Sequence, residues 1–425
     1  MNRTFIIIGL LLFIQYTGFS QQPGIITLDE CQQKAVENFP TNKQLGLNKT
    51  KHKLLIENIK KNYLPALNFN SQISYQSDVT KVPSVPVPGF SMPSLSNDWY
   101  KFNIDIDQLI WDGGLTKKQQ ALENYDYKIS DQSVKVKSYQ LKQQVNVLYF
   151  NMLFLKENID VLHILIDDLN ARIKDADAAL QNGMLLQSDV NVLKVNKKQA
   201  EQQLIEKQED LKGLMGAMQE LTHLKISSAD QLQAPEIKIN SYQYVNNRPA
   251  YRLLSLQQNK FDALKSLTAA KRMPVFKAFG QAGYGKPGYD MLNPDFDDYY
   301  MVGIRLHWNI YDWGHVKHEK AILNVQRAIV KTEKQTFDQN LKADLQQRRA
   351  GIQKFEKLLT TDREILDLQK SVVETANSQL KNGTITPTNY LIELNKQIRA
   401  QLNMEAHKLQ LIFAKYQYVT AIGNL

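Results

Sequence analysis

The chain has 425 residues, 43% of them hydrophobic, with Lys+Arg 52 against Asp+Glu 43 and a net charge of +9. A mean hydropathy of −0.40 excludes a polytopic helical membrane protein, which needs repeated apolar runs of about 20 residues. The one cysteine, Cys31, excludes an intrachain disulfide framework and a cysteine-based zinc cluster. Lys and Arg are interleaved with Asp, Glu and Gln, so the positive charge reads as solvated helix faces and not as a nucleic-acid footprint.

Asn2 and Arg3 lead an apolar run from Phe5 to Ile14, followed by Gly18 and Ser20 at the −3 and −1 positions of a cleavage site. Residues 1–20 are therefore expected to be a secretory signal peptide. No cysteine follows directly after that cut, which argues against a lipoprotein, and the mature chain holds no further candidate for a transmembrane helix. Cys31 is expected to pack as a small apolar residue on the first helix.

The mature chain is a tandem duplication. Asn38-Phe39-Pro40 matches Asn247-Arg248-Pro249, and Pro65 matches Pro274, at a shift of 209; Trp111-Asp112-Gly113-Gly114 matches Tyr311-Asp312-Trp313-Gly314, and Leu180-Gln181-Asn182-Gly183 matches Leu380-Lys381-Asn382-Gly383, at a shift of 200. The difference falls between Tyr75 and Trp99, in a stretch with Pro83, Pro86, Pro88 and Pro93, and so in a loop. A period this long means two copies of a whole structural unit and not a solenoid repeat. The first copy is expected over 21–218, with strands at about 66–76 and 101–111 and a helical hairpin at about 115–218. A linker follows over 219–245. The second copy, 246–425, has strands at about 275–285 and 300–311 and a hairpin at about 314–421.

The strands are legible by their period of two. Leu67, Phe69, Ile73 and Tyr75 alternate with Asn68, Asn70, Gln72 and Ser74; Phe102, Ile104 and Ile106 alternate with Asn103, Asp105 and Asp107; Val302, Ile304, Leu306 and Trp308 alternate with Gly303, Arg305, His307 and Asn309. Length near ten residues, aromatic ends and an export signal together indicate transmembrane β-strands, tilted across the bilayer with aromatic girdles at its interfaces. Four strands cannot close a barrel, and an open edge in lipid leaves backbone groups unpaired at several kcal/mol each. Two copies would give eight strands and a filled interior, whereas three give twelve and a lumen. The inward polar set of Asn68, Asn70, Asp105, Asp107, Arg305 and His307 favours a wet lumen, and with it a homotrimer.

The helices are legible by a heptad seam. Leu141, Val145, Leu148, Met152, Leu155, Ile159, Leu162, Ile166, Leu169, Ile173, Ala176 and Leu180 step by four and three without a break. The second copy keeps this seam from Leu341 to Leu380 with three polar interruptions, Arg348, Asp362 and Gln369. A continuous helix from Leu115 to Asn182 would be roughly 100 Å long, so it must lie along partner helices. Asn182-Gly183 and Asn382-Gly383 are expected to stop the long helices in a left-handed turn, and Ser188-Asp189 and Thr388-Asn389 to cap the returning ones.

The chemistry of enzymes is missing. His315 and His318 could share a metal but have no third ligand nearby, no phosphate-binding glycine loop or nucleophile elbow is present, and Asp290, Asp295, Asp297 and Asp298 read as a solvated loop between the second pair of strands. No enzyme activity, cofactor or metal is expected.

At this point the chain resembles the TolC-like outer membrane efflux factor family. The resemblance spans the mature sequence and rests on the opening TLDECQQKAVENFP, the paired Asn-x-Pro segments, the corners LIWDGGL and NIYDWGH, the tips QNGMLLQSDVNVL and KNGTITPTNYLIEL, and the terminal AIGNL. It implies a mainly α chain with transmembrane β-structure, trimeric, with a twelve-stranded β-barrel in the outer membrane and a periplasmic α-helical barrel. It further implies a passive conduit, opened and loaded by a periplasmic adaptor (membrane fusion protein) and an inner-membrane pump, with the hairpin tips forming the aperture and contacting the adaptor. Asn182, Gly183, Ser188, Asp189, Asn382, Gly383, Thr388 and Asn389 are the tip positions concerned. The family's best-known pattern has acidic residues six and nine positions after the second-copy glycine; here stand Asn389 and Ile392, with Glu393 one position off and Asp189 only in the first copy. A milder aperture lined by Asp189 and Asn389 is expected. The alternative from another class is an exported coiled-coil scaffold whose strands form a soluble cap. Release from membranes by high salt without detergent would favour that scaffold.

Overall fold

The computed structural model describes residues 24–79, 96–239 and 241–424. The signal segment and the proline-bearing loop lie outside the described residues. The elements run α1 (Leu28–Asn38), α2 (Lys43–Lys60), β1 (Ala66–Tyr75), β2 (Asp98–Trp111), α3 (Leu115–Gln181), α4 (Gln187–Thr222), α5 (Pro249–Ala270), β3 (Val275–Lys286), β4 (Asp297–His307), α6 (His315–Lys381) and α7 (Pro387–Ile422). Strand β4 lies three to four residues earlier than the expected 300–311, so Trp308 follows the strand, and Asp297 and Asp298 belong to it and not to the loop.

The described chain forms two compact units. The first combines the chain up to Ala35 with Gln144–Lys238 and Gln353–Phe413. Its core packs the two heptad seams against the returning helices: Leu162, Leu169 and Ala176 of α3 with the neighbouring Leu165 of that helix, Val190 and Leu193 of α4, Val373 and Ala376 of α6, and Tyr390, Leu394 and Ile398 of α7 are buried together. Each fully buried Leu or Ile in such a stripe stabilises by about 1.5–3 kcal/mol relative to exposure. At its opening helix, Cys31 is buried, and burial pushes its thiol up to about 12.

The polar interruptions of the second seam are each partnered. In the first unit, Asp362 accepts from or pairs with His407 Nδ1 at 2.7 Å, and Gln369 Nε2 donates to the Glu393 carbonyl at 3.2 Å and its carboxylate at 3.1 Å. In the second unit, Arg348 donates to Asp344 at 2.7 Å and to Gln417 at 3.0 Å. All three tie α6 to α7. A polar group inside an apolar seam tolerates only the register that satisfies it, so these pairs select one alignment of the two helices.

The second unit combines Val36–Gln143, Ile239–Ile352 and the chain from Ala414. It holds α2, α5, the opening parts of α3 and α6, and one four-stranded antiparallel sheet in the order β1-β2-β3-β4. The sheet therefore runs through the duplication without crossover, with β2 of the first copy paired to β3 of the second from Tyr100↔Lys286 to Trp111↔Phe276. At its two outer strands, β1 and β4, no further strand is paired among the described residues.

Each strand pair leads into its helix through one repeated corner. Asp112 accepts from Gly114 N–H at 2.9 Å and Thr116 N–H at 2.7 Å; Asp312 accepts from Gly314 N–H at 3.1 Å and Val316 N–H at 3.0 Å. The carboxylate thus satisfies backbone donors left free at the helix start. Corner geometry places two successive residues at positive φ: Gly113 at +68° and Gly114 at +82° in the first, Trp313 at +52° and Gly314 at +80° in the second. A side-chain-bearing residue held there costs about 1–3 kcal/mol.

Candidate functional site

Two regions bear on function, one in each unit. In the sheet, the register places Asn68 opposite Asp105, Asn70 opposite Asn103 and Ala66 opposite Asp107, while Asp105 faces Gln281, Lys277 faces Arg305 and Val275 faces His307. Because paired residues share a face and alternate along each strand, the six expected lumen residues stand on one face. Asp105 is its centre: its carboxylate accepts from Asn70 Nδ2 at 2.6 Å, Asn103 Nδ2 at 2.8 Å and Gln281 Nε2 at 2.7 Å, joining three strands.

Asn103, Gln281, Phe279 and Tyr299 also belong to this face and were not among the six. The aromatic pair accounts for one glycine in each strand, Gly283 of β3 and Gly303 of β4. Phe279 covers Gly303, so a Cβ at 303 would lie 2.8 Å from its ring, and Tyr299 covers Gly283, where a Cβ would lie 2.5 Å from its ring. Arg305 sits over Phe279 at 4.8 Å from the ring centre, a cation–π contact.

The opposite face carries Leu67, Phe69, Ile73, Ile104, Ile106, Tyr300, Val302, Ile304 and Leu306, all exposed; Val302 is 75% and Phe69 69% exposed. A patch of this extent on a soluble surface marks an interaction with lipid or protein. Among the described residues no helix is long and apolar enough to cross a membrane.

At the corner after β2, Tyr63 donates to Asp112 at 2.9 Å. Burial pushes the Asp112 carboxyl up, but hydrogen bonds from Thr116, Tyr63 and Gly114 outweigh it and hold the group below its ordinary value. Asp312 is likewise held below its ordinary value, first by the Val316 N–H.

The hairpin tips lie in the other unit. Gly183 (φ +72°) and Gly383 (φ +70°) take the left-handed conformation expected of them. Each closes a full Schellman motif: Gly183 N–H reaches Leu180 O at 2.9 Å and Met184 N–H reaches Ala179 O at 2.9 Å, while Gly383 reaches Leu380 at 3.0 Å and Thr384 reaches Gln379 at 2.9 Å. Asn182 donates its side chain to Ala178 O at 2.9 Å.

The expected caps are displaced by two to three residues. Helix α4 begins at Gln187 with Leu186 as its extended N-cap residue, so Ser188 and Asp189 are the second and third helical positions; Asp189 reaches back to accept from Leu186 N–H at 3.1 Å. Helix α7 begins at Pro387, which suits a first helical position because its missing N–H would be unpaired there. Thr386 is its cap, accepting from Asn389 N–H at 3.3 Å, and Thr388 lies one residue inside. The two tips thus use complementary halves of a capping box.

Asp189, Asn382, Gly383 and Asn389 line one cleft of ≈ 680 Å³, with Arg172 and Met184; Asn182, Gly183, Ser188 and Thr388 are not in its lining. At its wall, a half-buried cluster joins α3 to α7. Arg172 donates to Tyr390 Oη at 3.2 Å and to Asp168 at 3.3 Å, Tyr390 donates to Asp168 at 3.1 Å, and the guanidinium stands 5.1 Å from the Tyr390 ring centre. Burial, and then the Asp168 charge, push the Tyr390 hydroxyl up to about 12. Glu393 is occupied by Lys396 at 2.8 Å and Gln369 at 3.1 Å. First-tip Met184 and Leu186 are exposed apolar residues, about 70% each; a helix-stop reading of the tip did not single them out.

Among the described residues the chain combines a four-stranded antiparallel sheet, polar on one face and apolar on the other, with two long helical hairpins. Solved structures share this fold. Outer membrane protein VceC of Vibrio cholerae aligns with a TM-score of 0.68 at 12% identity, over 93% of this chain and 96% of that one. CusC, studied for folding and transmembrane channel formation, aligns at 0.71 and 12%, over 94% and 92%. The Neisseria gonorrhoeae MtrE outer membrane channel, in its open state, aligns at 0.67 and 14%, over 93% and 88%. No protein-family model matches the chain, and no curated protein matches it. At these identities the likeness establishes the fold, the one implied by the resemblance to the TolC-like family.

Proposed function

We propose that this chain is one protomer of a trimeric outer membrane channel, which conducts cargo passively from a periplasmic adaptor and an inner-membrane pump across the outer membrane. The observation that carries this reading is the sheet: one face polar around Asp105, the other exposed and apolar, with β1 and β4 unpaired on their outer sides among the described residues. In lipid each unpaired edge group costs several kcal/mol, so the sheet must be completed. Since β1 and β4 run in opposite directions within an all-antiparallel sheet, the β4 of one copy can accept the β1 of the next without changing the pattern. Three copies give twelve strands and an interior wide enough for water around the charged residues Asp105, Asp107, Lys277 and Arg305. The outer membrane protein VceC and the outer membrane channel MtrE, which share the fold, support the location.

The tips act as the periplasmic aperture in this reading, with Asp189 and Asn389 facing the passage and Met184 and Leu186 offering apolar contacts to the adaptor. Asn389 stands where an acidic residue would bind cations strongly, so divalent block at the aperture is weak and depends on Asp189. The reading is tested in planar bilayers with the purified oligomer. Stepwise conductance is expected, and Asp189→Ala is expected to raise conductance and to relieve what divalent-cation block there is. Absence of any conductance step from protein that inserts would refute the channel, and an Asp189→Ala channel with unchanged conductance and block would refute the role of the tip.

A further inference from the structure

The corner after β4 carries a tryptophan where its counterpart after β2 carries a glycine. We propose that Trp313 is an intersubunit wedge, packed against Leu64 of the partner subunit where β4 of one copy meets β1 of the next. The proposal rests on the oligomeric reading above and adds to it a specific contact.

The duplication supplies the equivalences. Trp313 aligns with Gly113 at the shift of 200, and Leu64 aligns with Met273 at the shift of 209, each next to its matching proline, Pro65 and Pro274. Within the chain, the corner at Gly113 abuts the approach to the following strand so closely that a Cβ at 113 would stand 2.1 Å from Met273 Cβ. The strand that follows β4 in a closed ring is β1 of the next copy. The residue that takes Met273's place against the second corner is then Leu64 of the partner subunit.

Both members of that pair are uncovered in the single chain. Trp313 is 85% exposed and Leu64 60% exposed. Trp313 also holds φ +52°, a strained conformation that bulky side chains seldom adopt and that points to a role for the side chain beyond the corner itself. Its ring is set edge-on against Tyr311, with centres 4.8 Å apart, and the neighbouring Trp308 is fixed by donation from Nε1 to Arg272 O at 3.1 Å. An aromatic cluster that is oriented yet uncovered suits a partner surface. Since the β2–β3 junction has no room even for a methyl group at Gly113, the junction between copies must be wider at this level by the thickness of an indole.

The test uses the full chain with Cys31→Ala, carrying Leu64→Cys and Trp313→Cys singly and together, purified in detergent and treated with a short bismaleimide. Light scattering on the same samples gives the number of chains. The double variant is expected to form two- and three-chain bands on a denaturing gel, and neither single variant is. A three-chain mass without those bands would overturn the wedge and leave the channel reading standing. A one-chain mass would overturn both. In a second arm, a chain with Trp99→Phe, Trp111→Phe and Trp308→Phe, leaving Trp313 as its only indole, is placed in vesicles with brominated acyl chains. Little quenching is expected, and near-complete quenching would put Trp313 in lipid and refute its contact with a second copy.

Discussion

Replacing the two glycines of the first corner separates backbone strain from steric contact. Gly113 and Gly114 both hold positive φ, +68° and +82°, but an added Cβ meets Met273 Cβ at 2.1 Å in the first case and nothing within 4 Å in the second. Gly114→Ala therefore bears only the left-handed backbone penalty, about 1–2 kcal/mol. Gly113→Ala bears the same penalty plus an overlap that a packed corner relieves only by moving β3's approach, about 1–3 kcal/mol more. The difference between the variants is the contact alone. Removing the opposing side chain should remove most of that difference, because the Met273 Cα that remains would stand 3.3 Å away: in the background of Met273→Gly, Gly113→Ala should cost close to what Gly114→Ala does in the parent chain. Guanidinium midpoints of the detergent-solubilised protein, at unchanged slope, measure these differences. Equal destabilisation by Gly113→Ala and Gly114→Ala, or no rescue by Met273→Gly, would refute the tight corner and with it the equivalence that places Leu64 of the partner subunit against Trp313.

Other outcomes follow from the same geometry. Asp112 is held below its ordinary value by hydrogen bonds to the corner, so its contribution to stability is present above the unfolded carboxylate value of about 3.9 and is lost as pH falls through the lower folded value. Asp112→Asn should lower stability at neutral pH and flatten the acid-side loss, read as denaturant midpoint against pH; an unchanged acid limb would refute the assignment. Tyr390→Phe removes the hydroxyl that meets Asp168 and Arg172 and should cost about 1–2 kcal/mol, whereas Tyr390→Phe combined with Asp168→Ala should cost less than the sum of the single changes; full additivity would show that the three groups do not act together. Asp105→Asn with Asp107→Asn should reduce cation preference, measured as reversal potential in a salt gradient, while Ile104→Ser on the opposite face should impair membrane insertion and leave selectivity alone. A selectivity change from Ile104→Ser would mean that the faces are reversed.

Periodicity carried most of this fold. The seam from Leu141 to Leu180 was legible because every step is apolar and every residue in it is buried or half-buried. In the second copy, Arg348, Asp362 and Gln369 were visible as interruptions, but their partners Gln417, His407 and Glu393 lie 69, 45 and 24 residues away, a distance that no local pattern spans. The caps were misplaced for a local reason. Ser188 and Thr388 are good capping residues by type, yet Asp189 reaches back to an apolar N-cap residue in one tip, and Pro387 forces the start of α7 directly after Thr386 in the other. On the sheet, six polar residues could be assigned to one face from alternation, while Phe279 and Tyr299 could not. Their rings lie over Gly303 and Gly283 of the neighbouring strand, and that pairing exists only once the register is known.

The central claim is that three copies complete the sheet around a wet interior. Native mass spectrometry of the detergent-extracted protein tests it most directly. The account predicts a single dominant species of three chains, released from membranes by detergent and not by high salt. A folded one-chain or two-chain species as the dominant form would contradict it.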